Sequence, residues 1–466
     1  MKKVILGAGP SGLGVAWGLI DKGHRDIVII EKEKIVGGLS SSLTVGDSVI
    51  DLGPHRFSPE YPDLVEKVGK LLGEDWLKVS NDHAVAFKGR IYQYPPVVKD
   101  FLNIPTVLIC LKVVLSFAFC RVKSLFSGKG EADTFESIIV SRFGRALYDD
   151  VVKPMSWKVW GNPETLDPEF ARLRFSVPTI VQWWKKLIGH SDTFNDHVFY
   201  YPRYGFQQMW DKIADHLKAN GVEIWCEAQV TSIQNAENKI SEVRVNRNGV
   251  ETIIPTEYLI STIPTQAFTR LLKPAPVSSA ELLGAKFHNR GMLLVYFRVK
   301  KPQSLPARVV IFPEQTFLFN RLSEQNQFSR STVPVDHSVV LADVLADVGT
   351  EMWNINDNEL IRICTAQIER LGFFYADEVL ETKVLRFPIA YPLPTKARER
   401  EQEKYNQIFG RFQNLICTGR FASTDYNNSH TAMKKGIMVA DAITNSETPV
   451  VWYTKAEAIR KTAIRD

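Results

Sequence analysis

The stretch that decides the fold is Lys3-Val4-Ile5-Leu6-Gly7-Ala8-Gly9-Pro10-Ser11-Gly12-Leu13-Gly14, close to the start of the 466-residue chain. Residues 3–6 read as a short strand, apolar from Val4 to Leu6, and Gly7 to Gly14 as a loop opening into an Ala/Gly/Leu-rich helix that ends near Lys22-Gly23. Ile27-Val28-Ile29-Ile30 reads as a second buried strand. A strand, helix and strand within about thirty residues is the length of a right-handed parallel crossover. In the G-x-G-x-x-G spacing Gly7 permits a tight turn, Gly9 lets backbone approach a pyrophosphate, and Gly12 lets helix pack on strand. The helix N-terminus then supplies N–H donors and a positive dipole for phosphates. Glu31 closes the second strand, 19 residues after Gly12, where a carboxylate accepts hydrogen bonds from a ribose hydroxyl. These residues predict a dinucleotide site.

Further along, β-branched character returns at Val222–Trp225, Val230–Ile233, Ser241–Val245 and Tyr258–Ile263, then at 290–300 and 338–345. Leu415–Gly419 reads as another short strand before a long Ala/Met/Gly helix reaching about Ile443. Residues 80–190 are rich in aromatics and read as helical. The expected fold is therefore α/β: a Rossmann-type cofactor domain, interleaved with a mixed substrate domain made of a helical lobe and an antiparallel sheet. The expected division gives 1–80, 205–270 and 405–445 to the cofactor, 81–204 and 271–404 to the substrate, and 446–466 to a C-terminal tail.

A net charge of +5 with dispersed basic residues argues against nucleic acid as a partner and leaves room for an anionic small molecule or a membrane surface. Five scattered cysteines without a CxxC read as buried thiols of a reducing compartment, with no metal site. Met-Lys-Lys running directly into a strand shows no secretory signal, so a cytoplasmic location is expected.

Gly37-Gly38-Leu39-Ser40-Ser41-Ser42 and Asp51-Leu52-Gly53-Pro54-His55 follow the acidic residue. Lys153-Pro154-Met155-Ser156-Trp157-Lys158-Val159-Trp160-Gly161, Tyr201-Pro202-Arg203-Tyr204-Gly205-Phe206, Tyr258-Leu259-Ile260-Ser261-Thr262-Ile263-Pro264 and Gly419-Arg420-Phe421 come in order after them. This series resembles the amine-oxidase-like flavoprotein superfamily, with Tyr204 standing where a glycine is usual. Within it the chain is most similar to the protoporphyrinogen-oxidase-like proteins and the UDP-galactopyranose mutases. The resemblance implies non-covalent FAD, held by Gly7, Gly9, Pro10, Ser11, Gly12, Glu31, Lys32, Gly38, Leu39, Ser40, His55, Val230, Thr262, Gly419, Arg420 and Asn428. Its leading implication for function is oxidation or desaturation at flavin N5 of a hydrophobic or lipid-linked small molecule.

The alternative is a redox-neutral sugar mutase using reduced FAD. Lys88-Gly89-Arg90-Ile91-Tyr92-Gln93-Tyr94-Pro95, Arg172-Leu173-Arg174-Phe175-Ser176-Val177-Pro178 and Tyr391-Pro392-Leu393-Pro394-Thr395 resemble mutase segments. The resemblance implies Arg174, in the second of them, and Arg321, after the middle strands, as candidate ligands for a nucleotide diphosphate, a task that suits the planar guanidinium fork. The competing role for Arg174 is a surface pair with Asp167 or Glu169. His55 matches a histidine that lies against the flavin in mutases, although Pro54 stiffens its loop. Tyr426-Asn427-Asn428-Ser429-His430 departs from the mutases and looks more like oxidase relatives. A third, non-enzymatic class is a flavin-stabilised scaffold. Trp157, Trp183-Trp184 and Phe199-Tyr200-Tyr201 line a cleft or, by the commoner rule, fill a core.

Ile104 to Val122 is apolar, interrupted only by Lys112 and Arg121. A buried helix of the substrate lobe is the preferred reading, ahead of a helix making peripheral contact with one leaflet and of a full span.

Overall fold

A computed structural model describes residues 1–94, 104–126, 133–175, 198–275, 288–423 and 427–462. Strand β1 (Lys2–Leu6), helix α1 (Pro10–Asp21) and strand β2 (Ile27–Ile30) form the expected crossover, with β1 and β2 parallel. Pro10 at the first helical position costs no hydrogen bond, since an N–H there has no helical partner. Outward from β1 the sheet runs through β2 to Glu223–Trp225 on one side and to Val250–Ser261 on the other, all parallel. Leu415–Cys417 also pairs in parallel with Val250–Ser261. The same long strand pairs antiparallel at its beginning with Lys239–Arg247, which pairs with Ala228–Ala236.

A second sheet has seven strands, in the order Val379–Pro392, Asn289–Val299, Ser338–Ala346, Arg321–Glu324, Val309–Ile311, His83–Phe87, Arg90–Tyr94. It is antiparallel except where Val309–Ile311 meets His83–Phe87. One large core joins β1, β2 and α1 to Phe206–Ala219 and to the C-terminal residues, and a second fills one face of the seven-stranded sheet. A third, smaller core of Phe135, Ile139, Trp160 and Phe170 belongs to the helices between 135 and 174.

Three expectations change. Residues 81–94 are not helical: they form a hairpin whose turn, Lys88-Gly89, has positive φ at both residues, and it extends the second sheet. The segment from 446 is more than a tail, because Pro449–Thr462 is a helix whose Trp452 and Tyr453 enter the first core. Ile104–Phe126 is a helix, but its outward face is not buried: Leu108, Leu115 and Phe119 are exposed. Of the aromatics weighed as cleft lining, Phe199 and Tyr201 are core, Tyr200 stacks on Trp76 and Trp157 is exposed. Trp183-Trp184, Ser176–Pro178, Pro95 and Tyr426 lie outside the described residues.

Asp51 ties the two sheets together. Its carboxylate accepts from Ser42 Oγ at 2.6 Å, from the Phe206 N–H at 3.0 Å and from the Tyr201 hydroxyl. Its carbonyl accepts from Tyr296 of the second sheet at 2.8 Å. Burial raises the Asp51 pKa, and hydrogen bonds from Ser42, Tyr201, Phe206 and Gln325 pull it back. Gly205 belongs to this junction, since a Cβ there, at φ +93°, would lie 2.8 Å from Val49 Cγ1. Tyr204 stands where it does because it is half exposed and meets no such wall. Asp51→Ala leaves buried donors without an acceptor and is expected to lower stability by about 3 kcal/mol. Urea unfolding checks this; a loss below about 1 kcal/mol would show that the network is dispensable.

Candidate functional site

The loop after β1 is closed on two sides and open on the third. At Gly7, with φ +98°, a Cβ would fall 2.5 Å from Thr262 Oγ1, and at Gly12 it would fall 2.0 Å from the Gly7 carbonyl oxygen. At Gly9 it would meet nothing within 4 Å. That open space lies in front of the first turn of α1, whose N–H groups no helical carbonyl satisfies. Gly37 donates its N–H to the Ala8 carbonyl at 2.9 Å, and a Cβ on Gly38 would come 3.4 Å from Gly9 Cα. The two glycine pairs therefore border one cradle, of the kind a pyrophosphate fills.

Glu31 is buried beside it, held by the Ala8 N–H at 2.7 Å and the Glu33 N–H at 2.9 Å. Its carboxylate keeps lone pairs for a ribose hydroxyl. Ala228 donates to the Glu31 carbonyl at 2.9 Å, which brings Val230 to the same end of the sheet. Lys32 stands apart, exposed and paired with Glu33.

On the other side, Thr262 bonds the Leu6 carbonyl through Oγ1 at 2.7 Å, and a Cβ on Gly419 would lie 2.9 Å from Ser11 Oγ. Thus Ser11, Thr262 and Gly419 meet. Arg420 follows at once, its Nε donating to Asn427 O at 3.0 Å and its guanidinium 5.6 Å from the Tyr391 ring centre. Asn428 is the N-cap of the Ser429–Thr444 helix and accepts from the Ala432 N–H at 2.9 Å. Ser40 donates its hydroxyl to Gly37 O and accepts from Trp210 Nε1, each at 2.9 Å. Next to it, the Leu39 carbonyl accepts from His55 Nε2 at 3.0 Å.

His55 is pushed down to about 4, first by burial and then by Arg420 and Arg321. His83 is likewise lowered to about 4 by burial, Arg56, Arg308 and Arg321. Arg321 pairs with buried Asp343 directly across the strand register, and its Nη2 lies 3.4 Å from the Tyr391 hydroxyl. So the structure brings Arg321 and Arg420 together around Tyr391, with His55 in the field of both. Arg174 ends the Pro168–Arg174 helix of the small helical core. Beside it, Asp167 caps the helix through the Glu169 N–H at 2.7 Å, and Glu169 pairs with Arg172. Asp167 also bonds the Pro394 carbonyl, which fastens this helix to the segment that carries Tyr391. Arg203 is spent on an ion pair with Asp75 at 2.9 Å. Lys158 is a tether, donating to Phe312 O at 2.8 Å and Phe319 O at 3.0 Å; burial lowers it to about 7.

Sequence reasoning missed Arg56, His83, Arg308 and Asp343. Asp343 carried a signal, an acid inside the apolar run Ser338-Val339-Val340-Leu341-Ala342-Asp343-Val344-Leu345-Ala346. The others come together only through the tertiary fold, from separate strands and loops.

A parallel sheet with a glycine cradle at its helix N-terminus and a buried acid at the end of the next strand defines a dinucleotide-binding protein. The chain matches the model of the flavin containing amine oxidoreductase family over residues 10–444 and belongs to that family, so its cofactor is FAD. Its fold is similar to that of reduced UDP-galactopyranose mutase, with TM-score 0.81 and 21% identity over 98% of this chain and 97% of that one. A protein described as a protoporphyrinogen oxidase from Exiguobacterium sp. 255-15 aligns at TM-score 0.71 and 16% identity, over 96% and 99%. Putrescine oxidase bound to putrescine aligns at 0.64 and 15%, over 95% and 99%. An uncharacterized protein in the nifH2 3′ region of Methanothermococcus thermolithotrophicus is 44% identical over 58 residues, 12% of this chain; the match spans 55% of that relative's length.

Two outcomes are expected. Gly9→Leu fills the open side of the cradle, so the purified variant should carry less than about a tenth of the wild-type flavin absorbance while staying folded; normal flavin content would refute the placement. Because folded His55 and His83 titrate near 4 rather than 6.5, the unfolded chain takes up protons first on acidification. Stability should therefore be full above about pH 6.5 and decline towards pH 4, less steeply in His83→Gln. A flat profile of urea midpoints between those limits would contradict it.

Proposed function

We propose that this chain is an FAD-dependent oxidoreductase that oxidises or desaturates an anionic, lipid-linked small molecule. The observation that carries the reading is the group of guanidiniums around Tyr391. Arg321 reaches Tyr391 from the second sheet and Arg420 covers its ring from the segment beside the flavin loop. Arg56 and Arg308 add to the same field at His83. Such a concentration of positive charge in a protein cleft favours an anionic group. Asp343 holds the Arg321 fork in place from behind, and the Asn427 carbonyl does the same for Arg420. His55, kept neutral, donates to Leu39 O and so adds no charge to the pocket. When bound, the flavin supplies a hydride acceptor; the protein's part is to bind and orient the substrate's charged end.

The division of labour we propose follows the cores. Residues 1–80, 205–270 and 405–445 hold FAD, with the Pro449–Thr462 helix and the Val198–Pro202 strand packed on them. Residues 81–197 and 271–404 hold the substrate.

A second reading, a redox-neutral mutase acting on a nucleotide-linked sugar, is supported by the same arginines. Arg174, Arg321 and Arg420 suit a diphosphate, and UDP-galactopyranose mutase shares the fold along nearly the whole chain. One titration separates the readings. UDP and inorganic pyrophosphate should both perturb the flavin absorbance of the purified protein, and Arg321→Ala should weaken this at least about tenfold. An unperturbed spectrum would remove the anion site from either reading. Under anaerobic reduction, conversion of a UDP-sugar favours the mutase, whereas bleaching of oxidised flavin by a lipid-linked substrate favours the oxidoreductase.

A further inference from the structure

Among the described residues, the Ile104–Phe126 helix meets the rest of the protein along one seam. Val113, Ser116, Phe117 and Cys120 are half-buried. The Ala146 N–H donates to Ser116 Oγ at 3.0 Å, and a Cβ on Gly144 would come 2.8 Å from the Phe117 backbone nitrogen. On the opposite side Leu108, Leu111, Val114, Leu115, Phe119 and Val122 are 51–69% exposed. At about 100° per residue they fall within about 140° of arc, centred opposite the seam. Lys112 borders this arc, and Asp150 balances it at 2.7 Å. A contiguous apolar face of this kind marks a surface with an occupant.

Size and charge point to which. At about 1.5 Å per residue the helix is about 35 Å long, and a face about 10 Å wide offers about 350 Å². A stable protein partner needs about 800 Å² on each side, so a second copy would find too little here. A lipid leaflet requires no matching shape and takes an apolar helix face lying parallel to its plane. The sequence carries Arg121 and Lys123 towards the end of this segment, and basic residues there favour an anionic leaflet. The seam prevents the helix from turning across the bilayer, and among the described residues no helix is long and apolar enough to cross a membrane.

We infer that the outward face of Ile104–Phe126 embeds in one leaflet of a phospholipid membrane and docks the enzyme there as a peripheral protein. The inference goes beyond the flavin chemistry and does not rest on it. The test is flotation of the full-length, flavin-loaded protein with vesicles of phosphatidylcholine, with and without phosphatidylglycerol. The wild type should float with the vesicles, more so with phosphatidylglycerol. A variant carrying Leu111→Glu and Leu115→Glu should lose at least about tenfold of the bound fraction while keeping its flavin absorbance and melting temperature. If that variant misfolds, Leu111→Ser with Leu115→Ser replaces it, with the same expectation. Wild type that stays in the aqueous fraction with both vesicles overturns the inference, as does a folded variant that floats equally well. Sedimentation showing a wild-type dimer that the variant splits, without vesicle binding, overturns it in favour of a second copy.

Discussion

Helix α1 and the Ser429–Thr444 helix touch backbone to backbone, and the site exists because they do. A Cβ on Gly14 would lie 2.3 Å from Met433 O, and one on Gly436 would lie 2.3 Å from Ser11 O. Gly18 faces Ala440 one turn further on. No larger residue fits at these positions, so the C-terminal segment is carried against the very helix whose N-terminus faces the cradle. Gly419 meets Ser11 of the loop beside this contact, across more than 400 residues of chain.

The second constraint is the Asp51 junction, which sets the other wall. Its donors come from Ser42, Tyr201 and the start of the Phe206–Ala219 helix, and its carbonyl is held by Tyr296. Four residues later His55 is locked on Leu39 O. The chain between is short, and it leaves Asp51 through Gly53 with φ +105°. A histidine so placed, with Arg321 and Arg420 near, gains little from protonation, because desolvation and like charge both oppose it. Among the described residues, the charges that face this histidine are those of Arg420 and Arg321.

Much of this was legible locally. Residues 4–6 and 27–30 could be read as strands because unbroken apolar runs suit a parallel sheet covered on both faces. The glycine spacing and Glu31 were readable because the geometry of a nucleotide loop allows few residue types. The hairpin of 83–94 was missed although Lys88-Gly89 sits between alternating residues, since the aromatic surroundings drew the reading towards helix. The helix at 104–126 was foreseen as a helix, but its preferred burial was not met. Hydropathy measures a residue's cost in water and is silent on whether a neighbour arrives to cover it.

What the amino-acid order determined by itself is the cofactor unit and the family, because backbone conformation at Gly7, Gly9 and Gly12 and the acid at Glu31 act over a few residues. Tertiary structure alone decided which charges share the pocket. Arg321 meets Asp343 through strand register, Tyr391 lies between Arg321 and Arg420, and His83 joins Arg56 and Arg308 from separate strands and loops. Electrostatic interaction depends on distance through space, and no spacing along the chain encodes it.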